Sequence, residues 1–478
     1  MPGLAKGRDQ GGRMAVGGRT VDVGALLDEG PWSGFQKQVL ACAALAVVLD
    51  GFDNQALGFA LPMLIAEWGV AKGDFASVLA VGLLGMALGT AIGGFAGDRV
   101  GRRRALVGSM FVFGAMTAGI ALVTGLSGLM ALRFLAALGL GGCLPNATTL
   151  AAEYTPARHR PWAVTATILC VPLGGMVGGL LAGVLLPSLG WRALFAVGGV
   201  APLILGGVFA VVVPESPRYL AREPSREGEL RQVLARMGRP QEGATTLVDR
   251  GEAQGGSGAG GKDRSRLRAL FGGAYLRDTL GLWLAFFSCY VAVYVVFSWV
   301  PTLLVGQGMS LKAASSGLTA YNLGGVLGAL AGGWAIGRVG SRPAMLAMAM
   351  GGVVSAVALK LVPLTGSEGS LALLLWLALH GAFVNAAQST LFALAAHVYP
   401  TGVRATGSGC AIGVGRLGAV LSSYVGALVL DADGGSGYFT LIAGAMLVTC
   451  AALAGIVRHI PRAEAKARLA AATASPES

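Results

Sequence analysis

The chain has 478 residues, of which 54% are hydrophobic and only 13% charged, and its 36 Lys and Arg outweigh 24 Asp and Glu to give a formal charge of +12. A soluble protein of this length needs more charge to cover its surface, so a soluble globular class is excluded. The basic excess does not call for nucleic acid, because membrane proteins concentrate Lys and Arg in the loops on one side of the bilayer.

In chain order, residues 1–37 are polar and Gly-rich and lack the apolar core of a cleavable leader, so the first span is expected to serve as an uncleaved signal. Twelve apolar segments then follow, each near the ~20 residues that cross a bilayer. They are predicted at 38–60, 75–97, 105–125, 127–150, 162–187 and 193–213, then at 278–304, 314–337, 343–363, 370–396, 403–430 and 437–459. The polar stretch 214–277 separates a first half, 38–213, from a second, 278–459, and within it Gly251–Gly261 reads as a flexible tether. Residues 460–478 form a polar tail. The 77 glycines are interleaved with Leu, Val, Ala and Phe, as close packing of membrane helices requires. The six cysteines (Cys42, Cys143, Cys170, Cys289, Cys410, Cys450) lie in apolar stretches without metal-ligand spacing and read as small apolar residues.

An internal repeat relates the halves. Gly93-Gly94-Phe95-Ala96-Gly97-Asp98-Arg99-Val100-Gly101-Arg102-Arg103 recurs as Gly332-Gly333-Trp334-Ala335-Ile336-Gly337-Arg338-Val339-Gly340-Ser341-Arg342, an offset of 239 residues. Repetition at so long a period marks duplicated structural units. The fold expected is therefore an all-α polytopic membrane protein of about twelve helices in two six-helix halves. Loops after even-numbered spans carry Arg99, Arg102, Arg103, Arg104, Arg158, Arg160, Arg338 and Arg342; the opposite loops offer little beyond Lys72, Arg192, Lys312 and Lys360. Both termini are thus expected in the cytoplasm.

A charge inside a span costs at least ~2.5 kcal/mol on insertion scales, so each one is a functional candidate. The deep ones are Asp50 and Asp53, Arg133, Arg416 and, in the tenth span, His380; Glu153 and Arg404 lie nearer the basic side. Asp50 and Asp53 stand at i, i+3 on one helix face. Burial beside a like charge raises a carboxyl toward neutral titration, which suits proton coupling; the alternative is a structural partner for an arginine. Arg133 and Arg416 keep their charge in any environment and suit a bound carboxylate, a paired aspartate or a structural bridge. Asn146 follows Pro145 where the fourth span is interrupted, and Tyr290, Tyr294, Phe297, Trp299 and Tyr321 could face a flat substrate, although Trp299 also suits the membrane interface. Asn322, Asn385 and Gln388 add hydrogen-bonding groups.

The segment Gly94 to Arg103 resembles the loop signature of the major facilitator superfamily, whose Asp and Arg residues latch helix ends as the halves rock. By that resemblance Asp98, Arg99, Arg102 and Arg103 would act in gating, while Gly337 stands where the second copy would need its Asp. Within the superfamily, Asp50-Gly51-Phe52-Asp53 resembles the first-span signature of the aromatic acid:proton symporters. Arg133 through Pro145-Asn146 to Glu153-Tyr154, Tyr399-Pro400-Thr401, and Arg404 through Gly415-Arg416 agree with the same family. The resemblance implies proton-driven import of a benzoate, hydroxybenzoate or phenylpropionate through the plasma (inner) membrane by a monomer. Asp50 and Asp53 would couple protons; Arg133, Arg416, Tyr290, Tyr294 and Asn146 would bind substrate; Glu153 and Arg404 would join the gating set.

The rival is a sugar or other organic-solute:proton symporter, since Pro214-Glu215-Ser216-Pro217-Arg218 also occurs in sugar porters. Val171-Pro172-Leu173-Gly174-Gly175 matches a drug-antiporter signature only in part, and no signalling domain suggests a receptor. No metal cluster, nucleotide loop or nucleophile elbow points to an enzyme, and no cofactor is expected.

Overall fold

In a bilayer the backbone must satisfy its own polar groups, which leaves apolar runs of this length the α-helix. The structure, a computed structural model, describes residues 20–240, 246–249, 270–272, 275–362, 370–399 and 401–462. Its first half contains α1 (Val23–Glu29), α2 (Gly34–Trp68), α3 (Lys72–Val100), α4 (Arg102–Ile120), α5 (Leu126–Tyr154) and α6 (Arg160–Val212). The short α7 (Pro217–Leu220) and α8 (Glu227–Arg236) follow. The second half contains α9 (Leu276–Gly306), α10 (Leu311–Val339), α11 (Ser341–Leu361), α12 (Leu371–Val398), α13 (Thr401–Ala432) and α14 (Gly434–Gly455).

With 53 residues, α6 would span about 80 Å if straight, far beyond a ~30 Å hydrocarbon core. Gly190 breaks it with φ 78° and ψ 179°, a conformation only glycine adopts without strain. The two arms are the fifth and sixth spans. Among the described residues nine helices are long and apolar enough to cross a membrane. The extra arm of α6, with α4 and α10, brings the crossings to twelve.

The outer surface is apolar, as lipid requires. Leu84, Leu88, Ile92 and Phe95 form an exposed stripe along α3, and Val197, Val200, Ile204, Val208 and Val211 another along the second arm of α6. Inside each half, small residues let backbones meet. At the crossing of α2 and α6, a Cβ on Gly51 would lie 2.1 Å from the Val171 carbonyl oxygen, and one on Gly174 would lie 2.0 Å from that of Val48.

The first and last described residues, Thr20 and Arg462, are separated by an even number of crossings and so share one face, here the terminal face. There β1 (Thr20–Asp22) pairs in parallel with β2 (Thr246–Val248), Val21 opposite Leu247. Asp28 on α1 is ion-paired with both Arg160 and Arg218, and Arg239 donates to the Leu26 and Pro31 carbonyls. The described N-terminal residues and the start of the linker are thus folded onto the first half. The stretch Gly251–Gly261 lies outside the described residues, as does most of the tail.

Candidate functional site

The face of α2 that carries both aspartates gives them different surroundings. Asp53 is fully buried; its Oδ1 accepts from Thr117 Oγ1 at 2.6 Å and its Oδ2 from Arg133 Nη1 at 2.8 Å. Arg133 Nη2 also donates to the carbonyls of Asp53 and Asn54, at 3.2 and 3.4 Å. Both groups are buried and hydrogen-bonded to each other, the condition under which a buried pair is tolerated. Asp50, one turn earlier and 6% exposed, has no hydrogen-bond partner among the described residues. It lies within electrostatic reach of Asp53, Arg416 and Arg133.

The second half faces it with Arg416 from α13 and the aromatic side of α9. Arg416 Nη1 donates to Tyr294 Oη at 3.0 Å and lies 3.0 Å from Met86 Sδ of α3, while its guanidinium stands 6.0 Å from the Tyr290 ring centroid. Ring contact continues from Tyr290 to Tyr294 and Phe297, at centroid distances of 5.7 and 5.8 Å. Arg133, Asn54, Met86, Tyr294, Phe297 and Ser298 line a void of about 20 Å³ between the halves. That volume holds about one water and no aromatic ring. A permanent cation flanked by flat rings, with an unpaired carboxyl in reach, is suited to an aromatic anion and a proton.

Away from the terminal face the halves are closed upon each other. Gln55 Nε2 donates to Asn322 Oδ1 at 3.0 Å, and Asn322 Nδ2 donates back to Gln55 Oε1 at 2.8 Å. Further out, a Cβ on Gly58 would sit 2.2 Å from the Phe297 carbonyl oxygen, and Lys72 bridges to Asp431 at 2.8 Å. The polar ties described below for the terminal face each stay within one half. A larger cavity of about 410 Å³ opens on that face, lined by Thr148, Thr149, Ala152, Glu153, Arg160, Val164 and Arg218.

The loop candidates divide. Asp98 pairs with Arg102 at 2.5 Å, Arg102 Nε lies 3.8 Å from Glu153, and Glu153 accepts from Ser216. Arg103 donates its side chain to the Ala210 carbonyl and its backbone N–H to Glu215 Oε1, the latter at 2.9 Å. These contacts tie the ends of α3, α4, α5 and α6 together. Arg99 instead lies over the exposed Phe95 ring at 4.3 Å. Arg404 is exposed in the other half, its Nε donating to the Tyr399 carbonyl at 3.3 Å. Where Gly337 replaces the acidic residue, the second half is tied differently: Asp278 to Arg458 at 2.9 Å, and Ser341 Oγ to His459 Nδ1 at 3.1 Å.

Expectations change at Asn146, Pro145 and Trp299. Asn146 donates Nδ2 to the carbonyls of Gly93 and Gly142, at 2.9 and 2.8 Å. It fastens α5 to α3 and does not join Arg416 and the tyrosines, and α5 runs unbroken through Pro145. Trp299 is fully buried beside Gly426, so it is no interface residue. Sequence reasoning also missed two groups. Gln55 carries no charge and drew no notice, and the fully buried Glu215 served only to weigh a sugar porter. The stretch Pro214-Glu215-Ser216-Pro217 beside the loop signature was the available signal. Among the described residues no His, Cys, Asp and Glu group is arranged to hold a metal.

Comparison with known proteins agrees with this architecture. The profile of the Major Facilitator Superfamily matches residues 43–371 and 282–476. The 4-hydroxybenzoate transporter of Acinetobacter baylyi is 36% identical over 438 residues, which cover 91% of this chain and 93% of the relative. The gallate transporter of Pseudomonas putida is 34% identical over 86% and 89%, and the 3-(3-hydroxy-phenyl)propionate transporter of Escherichia coli is 30% identical over 79% and 82%. Among solved structures, the inward-open xylose transporter of E. coli superposes with a TM-score of 0.70 at 18% identity, covering 90% of this chain and 99% of that one, a likeness of fold. The chain belongs to the Major Facilitator Superfamily and, within it, to the aromatic acid transporters.

Proposed function

We propose that this protein imports an aromatic carboxylate together with protons by alternating access. It would act as a monomer in the plasma (inner) membrane with both termini, and the linker 214–277, in the cytoplasm. The observation that carries the reading is Arg416, held by Tyr294 and flanked by Tyr290, with the unpartnered Asp50 in electrostatic reach. The names of the relatives support the substrate class, a benzoate, hydroxybenzoate or phenylpropionate.

In the reaction cycle the substrate carboxylate takes the place of Tyr294 on the Arg416 guanidinium, where two parallel N–H groups suit it. Its ring lies against Tyr290 and Tyr294. A proton on Asp50 removes the charge that would otherwise compete for Arg416. With anion and proton both bound, no net charge is enclosed as the halves close over the site. After release, ionised Asp50 is free to approach Arg416 and lets the empty carrier reset. Asp53 and Arg133 remain paired within the first half and hold α2, α4 and α5 in register. Asp98, Arg102, Arg103 and Glu153 steady the terminal ends of the same half as it rocks.

One proton with one monoanion is electroneutral, so the membrane potential, ~2.3 kcal/mol per charge per 100 mV, would not drive uptake directly. Labelled 4-hydroxybenzoate and benzoate, offered to proteoliposomes under an imposed pH gradient, test the reading. Gradient-dependent accumulation of either supports it. Transport of glucose with neither acid carried would favour the sugar-porter alternative.

A further inference from the structure

The void between the halves is too small for the substrate proposed for it. It measures about 20 Å³, whereas a cavity that takes up a benzene ring is on the order of 150 Å³. A close-packed interior has no slack to supply the difference, so a side chain must give way. The larger groups on the wall are mostly fastened. Arg133 is held by Asp53 and by the Asp53 and Asn54 carbonyls. Tyr294 is packed between the rings of Tyr290 and Phe297, and Phe297 stands edge-on to Tyr294 on one side and Tyr321 on the other, each at 5.8 Å.

Met86 differs. Its backbone is fixed: the carbonyl accepts from Thr90 Oγ1 at 2.8 Å, and a Cβ on Gly141 of α5 would lie 2.2 Å from the same oxygen. Its side chain reaches from α3 in the first half to α13 in the second and ends with Sδ 3.0 Å from Arg416 Nη1, the nitrogen that also donates to Tyr294. A thioether is a weak acceptor, so that contact is readily given up to a carboxylate. Met is unbranched with three rotatable bonds, and it refits irregular space more easily than Leu79 or Leu83 beside it. The thioether thus stands where the substrate carboxylate must arrive, on a side chain suited to move.

We infer that Met86 is the movable wall of the substrate site, withdrawn from Arg416 when an aromatic acid enters and packed against the ring once it is in, so that its size sets how wide a ring system the carrier accepts. The inference rests on the proposed aromatic-acid function. With the ring against Tyr290 and Tyr294 of the second half, Met86 closes on it from the first half, and sulfur at a ring edge is a favourable contact. Shortening the side chain to Ala takes three heavy atoms out of the wall and makes room for a second fused ring. Leu conserves the volume and does not.

The test is competition in proteoliposomes. It compares the concentration of 2-naphthoate that halves uptake of labelled 4-hydroxybenzoate with the half-saturating concentration of 4-hydroxybenzoate itself. Wild type, Met86→Ala, Met86→Val and Met86→Leu are measured beside Met350→Ala, a control on the exposed face of α11. In Met86→Ala the ratio should fall by roughly 10-fold or more, the scale on which an apolar pocket discriminates by size. Met86→Val removes less and should move the ratio the same way by a smaller factor, which carries the test where the alanine variant fails to fold. Met86→Leu and Met350→Ala should keep the wild-type ratio. A ratio that stays at the wild-type value in the shortened variants, or that falls as far in Met86→Leu or Met350→Ala, overturns the role of Met86. Wild type that does not transport 4-hydroxybenzoate overturns the function on which that role depends.

Discussion

Gln55 and Asn322 exchange two hydrogen bonds across the seam between the halves, each amide serving as both donor and acceptor to the other. Both are fully buried in the closed seam. When the halves rock so that the face opposite the termini opens, the pair must part. Two exchanged hydrogen bonds contribute about 1–3 kcal/mol net to the closed arrangement. Gln55→Leu removes both and leaves the Asn322 amide buried with a single partner, the Leu318 carbonyl. The expected outcome is a shift toward opening on that face. Spin labels at Gly73→Cys and Asp433→Cys, on exposed positions at the outer ends of α3 and α13, should report a longer distance population in the variant. An unchanged distance distribution would show that the amide pair does not hold the seam.

Gly58 tests the same closure sterically. A Cβ there meets the Phe297 carbonyl at 2.2 Å, backbone that cannot rotate aside. Gly58→Ala should therefore fold, because the contact is between halves, but close poorly, lowering transport by ~10-fold or more. Gly333→Ala, on a surface with open space around the glycine, is the matched control and should transport normally. Equal rates for both alanine variants would contradict a seam this tight.

The Asp53–Arg133 pair makes a stability prediction. Removing one member strands a buried charge and costs about 3–5 kcal/mol, whereas removing both is far milder. Asp53→Asn should lower the melting temperature of the detergent-solubilised protein, and Asp53→Asn with Arg133→Gln should recover much of the loss. If the double variant melts lower than either single one, the pair is not acting as a coupled unit.

The amino-acid pattern made the spans legible because lipid imposes length and apolarity on each. Even the break at Gly190 fell between the predicted fifth and sixth segments. The deep charges were legible for the same reason: a charge in hydrocarbon is too costly to be incidental. Partnership was not. Asp50 and Asp53 share a face and a residue type, yet only the path of α4 and α5 brings Thr117 and Arg133 to one and leaves the other unpaired. Neutral groups carry no such mark, so Gln55 drew no notice and Asn322 was only one hydrogen-bonding group among several until helix packing set the two opposite each other. Asn146 misled for a related reason, since a polar side chain in a span looks the same whether it faces a substrate or a neighbouring backbone. The folding of the described N-terminal residues onto the linker rests on pairings 190 or more residues apart, such as Asp28 with Arg218 and Arg239 with Leu26, which no local pattern announces.

The central claim is that Asp50 carries the coupled proton while Arg416 carries the substrate. The most direct measurement compares two modes of transport of labelled 4-hydroxybenzoate by Asp50→Asn in proteoliposomes: net uptake driven by a pH gradient, and exchange against unlabelled acid at equal pH on both sides. An asparagine mimics the protonated carboxyl and cannot release its proton. Exchange, which needs no deprotonation, should persist near the wild-type rate, while gradient-driven accumulation is lost. Accumulation that survives in Asp50→Asn at the wild-type level would contradict the account and place the coupling on another group.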